Sequence, residues 1–109
     1  MGDEFDLEAV TLVWKNGDRE GARRLTLPHA QAGDSNAQCT MALLSIDFEE
    51  AEGWLLKATL QDNPVAWNNL GSLYGPRDRK KALQCYRRAK ELGFNCTHPY
   101  PASEESDEP

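Results

Sequence analysis

The sequence predicts an all-α fold, a short α-solenoid of about three helix-turn-helix repeats. Three observations predict it. Apolar residues recur at i, i+3, i+4 and i+7, as on one face of a helix, and not in the alternation of a strand. Helix start and stop residues punctuate the chain at regular intervals. Small-residue faces centred on Ala22, Ala51 and Ala82 recur after 29 and 31 residues. With 109 residues the chain fits one domain with one modest core.

The first hairpin is expected over residues 4–33. Its first helix offers Ala9, Val10 and Val13, and Gly17-Asp18 makes the turn into a second helix carrying Ala22 and Leu25. Pro28 falls inside that second helix, where proline removes a backbone bond and costs about 3 kcal/mol. The expectation is therefore a helix that ends near Leu25 or is kinked. The second hairpin, 34–62, opens on a capping-box pattern at Ser35 and Gln38 and a further one at Asp47 and Glu50. Ala37, Met41, Ala42 and Leu44 line its first helix; Ala51, Trp54, Leu55 and Ala58 line its second. The third hairpin, 63–94, is the clearest. Asn63-Pro64 supplies a cap and a proline at the first helical position, and Gly75-Pro76 breaks the helix. A second helix follows Asp78, with Ala82, Cys85, Tyr86, Ala89 and Leu92 on one face and Gly93 as its stop. Gly71 and Ala82 allow the two helices to approach closely, with Trp67, Tyr74 and Tyr86 filling the space around them.

Helical repeats are expected to occupy residues 1–96. Residues 97–109, with three prolines, four acids and few apolar groups, read as an acidic, Pro-rich, disordered tail. Charge follows this division. The chain carries a net charge of -6, yet four acids stand in residues 1–8 and four in the tail, with no base in either. Residues 34–62 hold six acids and only Lys57, whereas 77–90 hold seven bases and one acid. The net charge disfavours nucleic acid as a partner, because that affinity is built from Lys and Arg neutralising phosphates. The basic run Arg77, Arg79, Lys80, Lys81, Arg87 and Arg88 lacks the interleaved exposed aromatics of a single-strand binder and suits an acidic protein or the chain's own tail.

The segment Trp67-x-x-Leu70-Gly71-x-x-Tyr74, followed by Ala82-x-x-x-Tyr86, resembles the tetratricopeptide repeat signature. The stretches AEGWLLKA and ALQCYRRA resemble the related Sel-one-like repeats. The resemblance covers residues 5–94 and is carried best by the third hairpin. It implies a right-handed α-solenoid whose first helices line a concave groove for a peptide or protein segment. Carried onto this sequence, it implies groove positions at Asn68 and Ser72 in the third hairpin and Asn36, Cys39 and Leu43 in the second. For the first hairpin it implies Thr11, Trp14 and Lys15. Lys15 is the only cation of this set, which argues against a carboxylate clamp.

Catalysis is not expected. The two histidines, His29 and His98, have no serine or cysteine placed near them by sequence, and no glycine-rich phosphate loop is present. Cys96 and His98 make half a metal site without a second pair to complete four ligands. No cofactor is expected. Cys39, Cys85 and Cys96 read as reduced thiols in a cytoplasmic protein, with no membrane partner, because no apolar run approaches the ~18 residues of a span. The expected function is non-enzymatic binding of a peptide or protein segment in the groove. The alternative is a small cytosolic chaperone or an inhibitor or immunity-type protein that covers a partner domain by charge complementarity. A homodimer through an uncapped last hairpin is a further expectation, since prolines at 99 and 101 prevent a capping helix.

Overall fold

The computed structural model describes residues 4–94. Six helices follow one another: α1 (Leu7–Lys15), α2 (Arg19–Gln31), α3 (Ser35–Leu43), α4 (Phe48–Thr59), α5 (Pro64–Tyr74) and α6 (Arg79–Glu91). No strand occurs among the described residues. Each helix packs on its neighbours in the chain, and α3 also packs on α5. The expected tail, together with Cys96, His98 and Tyr100, lies outside the described residues.

Side-chain caps begin all six helices. Asp6, Asp18, Asp34, Asp47, Asn63 and Asp78 each accept a bond from a backbone N–H in the first turn. Such a cap is worth about 1 kcal/mol, because it satisfies a donor the helix itself leaves unpaired. The cap of α3 stands one residue earlier than the capping-box pattern suggests: Asp34 receives the Ala37 N–H, and Ser35 is already helical. At α4 the Asp47 half of the box forms, with the Glu50 N–H at 2.9 Å. The Glu50 carboxylate instead accepts from Arg23 at 2.8 Å. Arg23 also donates to the Leu44 carbonyl at 3.0 Å, tying the first hairpin to the second.

Helix α2 does not end near Leu25; it runs through Pro28 to Gln31. The turn beyond the proline is held from outside. Ala30 packs in a buried cluster with Ala37 and Met41. The Gln38 amide donates to the Ala30 carbonyl at 3.1 Å, and the Phe5 ring meets the His29 ring at a tilt of 55°, centroids 5.6 Å apart. Leu25 is also not a core residue. It is exposed, and Thr26 is buried one position later, its hydroxyl satisfied by the Ala22 carbonyl at 2.8 Å.

The largest core cluster spans α3 to α6 and includes Leu55, Leu70, Tyr74, Cys85 and Tyr86. Smaller clusters seat the first hairpin: Val10 and Ala22 pack on Leu44. Gly71 is where α5 and α6 approach. A Cβ there would stand 2.8 Å from Cε1 of Tyr86, so only glycine leaves the ring its place. Tyr74 spans to α4, donating to Glu52 at 2.6 Å.

Candidate functional site: a groove along the first helices

A groove of about 460 Å³ runs between α1, α3 and the start of α5. Its wall repeats. Leu7, Val10, Thr11 and Trp14 of α1 stand at helical spacing. Asn36, Cys39, Thr40 and Leu43 of α3 stand at the same four positions, each 29 residues later. Val65 and Asn69 of α5 continue the series after another 29. Side chains at i, i+3, i+4 and i+7 share one helix face, so each first helix turns the equivalent face to the groove. A shallower depression of about 260 Å³ extends it past Leu43 and Asn69 to Ser72 and Leu73.

Three rows cross the helices. Leu7, Asn36 and Val65 form the row nearest the helix starts; Thr11, Thr40 and Asn69 form the middle; Trp14, Leu43 and Ser72 form the third. The middle row is polar. Its two threonine hydroxyls donate back to their own helices, Thr11 to the Leu7 carbonyl at 2.8 Å and Thr40 to the Asn36 carbonyl at 3.0 Å. Their oxygens keep lone pairs for an incoming donor. The outer rows hold Leu7, Trp14, Leu43 and Val65, which are 54%, 45%, 57% and 37% exposed. No charged residue lines either depression.

Of the residues expected in the groove, Trp14, Asn36, Cys39 and Leu43 line it, as does Thr11. Ser72 lines the extension, where its hydroxyl shares a hydrogen bond with the Tyr86 hydroxyl at 3.2 Å. Lys15 closes α1 but is not part of the wall, and Asn68 lines neither depression, whereas the next residue, Asn69, lines both. Phe5, Leu7, Val10, Thr40 and Val65 line the groove without having been expected from the sequence. The 29-residue period carries the signal for four of them: subtracted from Asn36 and Cys39 it gives Leu7 and Val10, and added to Thr11 and Asn36 it gives Thr40 and Val65.

A comparison with known protein families, curated proteins and solved structures finds no match to this chain. The groove therefore stands on its own chemistry. Burial, with the nearby Asp34 charge, pushes the Cys39 thiol from 9.0 up to about 11. A thiol held that high stays protonated near neutral pH and is a packing group, not an activated nucleophile. Among the described residues no cluster of three or more His, Cys, Asp or Glu could hold a metal ion. None of their helices is long and apolar enough to cross a membrane.

The basic run is largely engaged elsewhere. Arg77 stacks over Phe48 at 4.0 Å and Lys81 lies over Tyr74 at 5.3 Å. Arg88 pairs with Asp62 at 3.2 Å and Glu91 at 3.1 Å. Arg79 and Arg87 have partners of their own, while Lys80 is exposed. The side chains that α6 exposes are all polar.

Proposed function

We propose that this chain is a non-enzymatic binding module that takes an uncharged peptide or protein segment in the groove along α1, α3 and α5. The observation that carries the reading is the three-row wall repeated every 29 residues, with large apolar side chains left exposed along it. A peptide crossing from one first helix to the next meets the same polar middle row at each step, with at least one large apolar side chain beside it: Leu7 and Trp14 on α1, Leu43 on α3, Val65 on α5. Hydroxyls and amides in that row suit a peptide backbone, and the rows beside it suit apolar side chains. This reading includes a short right-handed solenoid related to the tetratricopeptide repeats. It also includes a cytoplasmic setting.

The charge-driven alternative, an inhibitor or chaperone of a basic or acidic domain, finds less support. Its basic surface is tied up in ion pairs and ring contacts within the chain. Exposed ion pairs also give partner affinity that fades with salt.

The test is selection of displayed peptides by the full chain, followed by titration of the enriched peptide. The expected peptides are uncharged and apolar. Their affinity should be insensitive to salt, lost in Leu43→Glu or Trp14→Ala, and retained in Lys80→Glu. Both groove residues are exposed, so stability should stay within about 0.5 kcal/mol. Enrichment of acidic peptides whose binding is lost in Lys80→Glu would favour the charge-driven alternative.

A further inference from the structure

The end of α6 is tied to the mouth of the groove. Arg88 donates to Asp62 Oδ1 at 3.2 Å, which sets the last turn of α6 beside the junction of α4 and α5. The next residue, Asn63, donates from Nδ2 to Asn36 Oδ1 at 2.9 Å, and Asn36 is part of the groove wall. The Phe94 N–H donates to the Ala89 carbonyl at 2.9 Å, holding the outgoing chain at this same end. The chain thus leaves the described residues with only the start of α5 between it and the groove.

The segment beyond Phe94 matches the groove in chemistry and is long enough to reach it. Residues 95–103, Asn-Cys-Thr-His-Pro-Tyr-Pro-Ala-Ser, contain no Asp, Glu, Lys or Arg. The acids begin only at Glu104. The groove wall is equally free of charged residues. A helix with its side chains is about 10–12 Å across. The six residues from Asn95 to Tyr100 reach at most about 20 Å. Tyr100 can therefore pass round the start of α5 and arrive over Val65 and Asn36. The prolines on either side favour an extended backbone, whose groups remain open for the polar middle row. The basic face of α6 is the competing destination for the acids beyond, but Arg88 there is already paired.

We infer that the chain's own segment 95–101 occupies the groove in cis, with the Tyr100 ring against Val65 and Asn36, so that an outside peptide must displace it. This rests on the groove being a peptide site. A short tether supplies an effective concentration in the millimolar range, so weak intrinsic contacts are enough. A segment that fills the groove about nine-tenths of the time weakens an outside peptide about tenfold.

The experiment places a nitroxide at Ser103→Cys in a full chain carrying Cys96→Ser. Cys39 and Cys85 are buried, with thiols raised to about 11, and do not compete for the label. The expected result is broadening of the Leu7, Leu43 and Val65 methyl signals, with exposed Leu25 of α2, which lines neither depression, unaffected. The broadening should be lost in Leu43→Glu. Broadening confined to α6 would overturn the inference in favour of the basic helix. Broadening that appears only between labelled and unlabelled chains would overturn it in favour of a second copy. No broadening would overturn it outright. Tyr100→Ala separates this inference from the proposed function. A tenfold gain in outside-peptide affinity supports both. Unchanged affinity overturns the inference and leaves the function. Groove broadening in a chain that binds no outside peptide, even as Tyr100→Ala, supports the inference and removes the function.

Discussion

Helix α1 buries Val10 alone and leaves Leu7, Leu12 and Trp14 at the surface, whereas α6 buries Ala82, Leu83, Cys85, Tyr86 and Ala89. The first hairpin gives its apolar groups to the groove. It holds its place through a few borrowed contacts: Val10 on Leu44, and Arg23 on Glu50 and the Leu44 carbonyl. Helix α6 keeps its apolar groups inside and faces solvent with polar and charged ones. Binding surface and core draw on the same residue types, so a helix that exposes them for a partner depends on its neighbours for stability. The sharpest test of this contrast compares two truncations. Leu70→Ala, in the large cluster, should cost about 2–5 kcal/mol. Val10→Ala should cost about 2 kcal/mol, mostly the transfer of its two methyl groups. Urea unfolding measures both. Amide exchange should also show α1 opening at lower free energy than α6. Equal protection of the two helices would break the comparison.

The next effect in size is alkaline. Burial pushes the Cys39 and Cys85 thiols from 9.0 up to about 11. Burial, then the bond to Glu52, raises the Tyr74 hydroxyl above its ordinary value of 10.0. All three keep their protons longer in the folded chain than in the unfolded one. Their stabilising effect is whole below pH 9 and is lost as pH rises through the folded values. The loss should be on the order of 2 kcal/mol per thiol by about pH 11. None of these groups lies in the first hairpin. Urea midpoints measured from neutral to alkaline pH should fall, and the fall should shrink in Cys85→Ala. An unchanged slope in that variant would mean that the third hairpin opens before its thiol titrates.

Gly71→Ala comes third. The new Cβ would press on Tyr86 at 2.8 Å, an overpacking cost of about 1–3 kcal/mol. Better helix propensity returns about 1 kcal/mol of it. In a Tyr86→Leu background the same change should become neutral or stabilising. If it does not, the close approach of α5 and α6 is not what demands glycine.

These residues also mark how far the fold is legible in the sequence. Gly71, the caps Asp47, Asn63 and Asp78, and the faces of α4 and α6 follow from local chemistry: a small residue between aromatics, an oxygen before an apolar run, a helical period. Pro28 misleads because its cost is local while what outweighs it is not; Ala37, Gln38 and Met41 of α3, and Phe5 ahead of α1, meet the last turn of α2 from outside it. Leu25 misleads because the 60-residue offset to Cys85 points one position off, and only tertiary packing turns Thr26 inward. In the groove, Trp14, Asn36, Cys39 and Leu43 are reached through the repeat frame. Asn68 stands 29 residues after Cys39 and Asn69 stands 29 after Thr40, so the period puts both on one face and does not choose between them; only Asn69 lines the groove.

The smallest expected effect tests the repeat itself. Gly33, Asp62 and Gly93 close α2, α4 and α6, and all three have positive φ, at 104°, 55° and 96°. Asp62 is the only one of them with a side chain, and the left-handed region costs such a residue about 1 kcal/mol. It is compensated in part by the exposed pair with Arg88, whose contribution solvent screening keeps small. Asp62→Gly should therefore move stability by only about 0.5 kcal/mol, as relief of strain and loss of the pair oppose each other. Raising salt screens the pair but not the strain, so the variant should gain on the parent chain as ionic strength rises. If the variant is still the less stable of the two where salt has screened the pair, the Asp62 backbone is not strained, and this junction does not follow the rule of the other two.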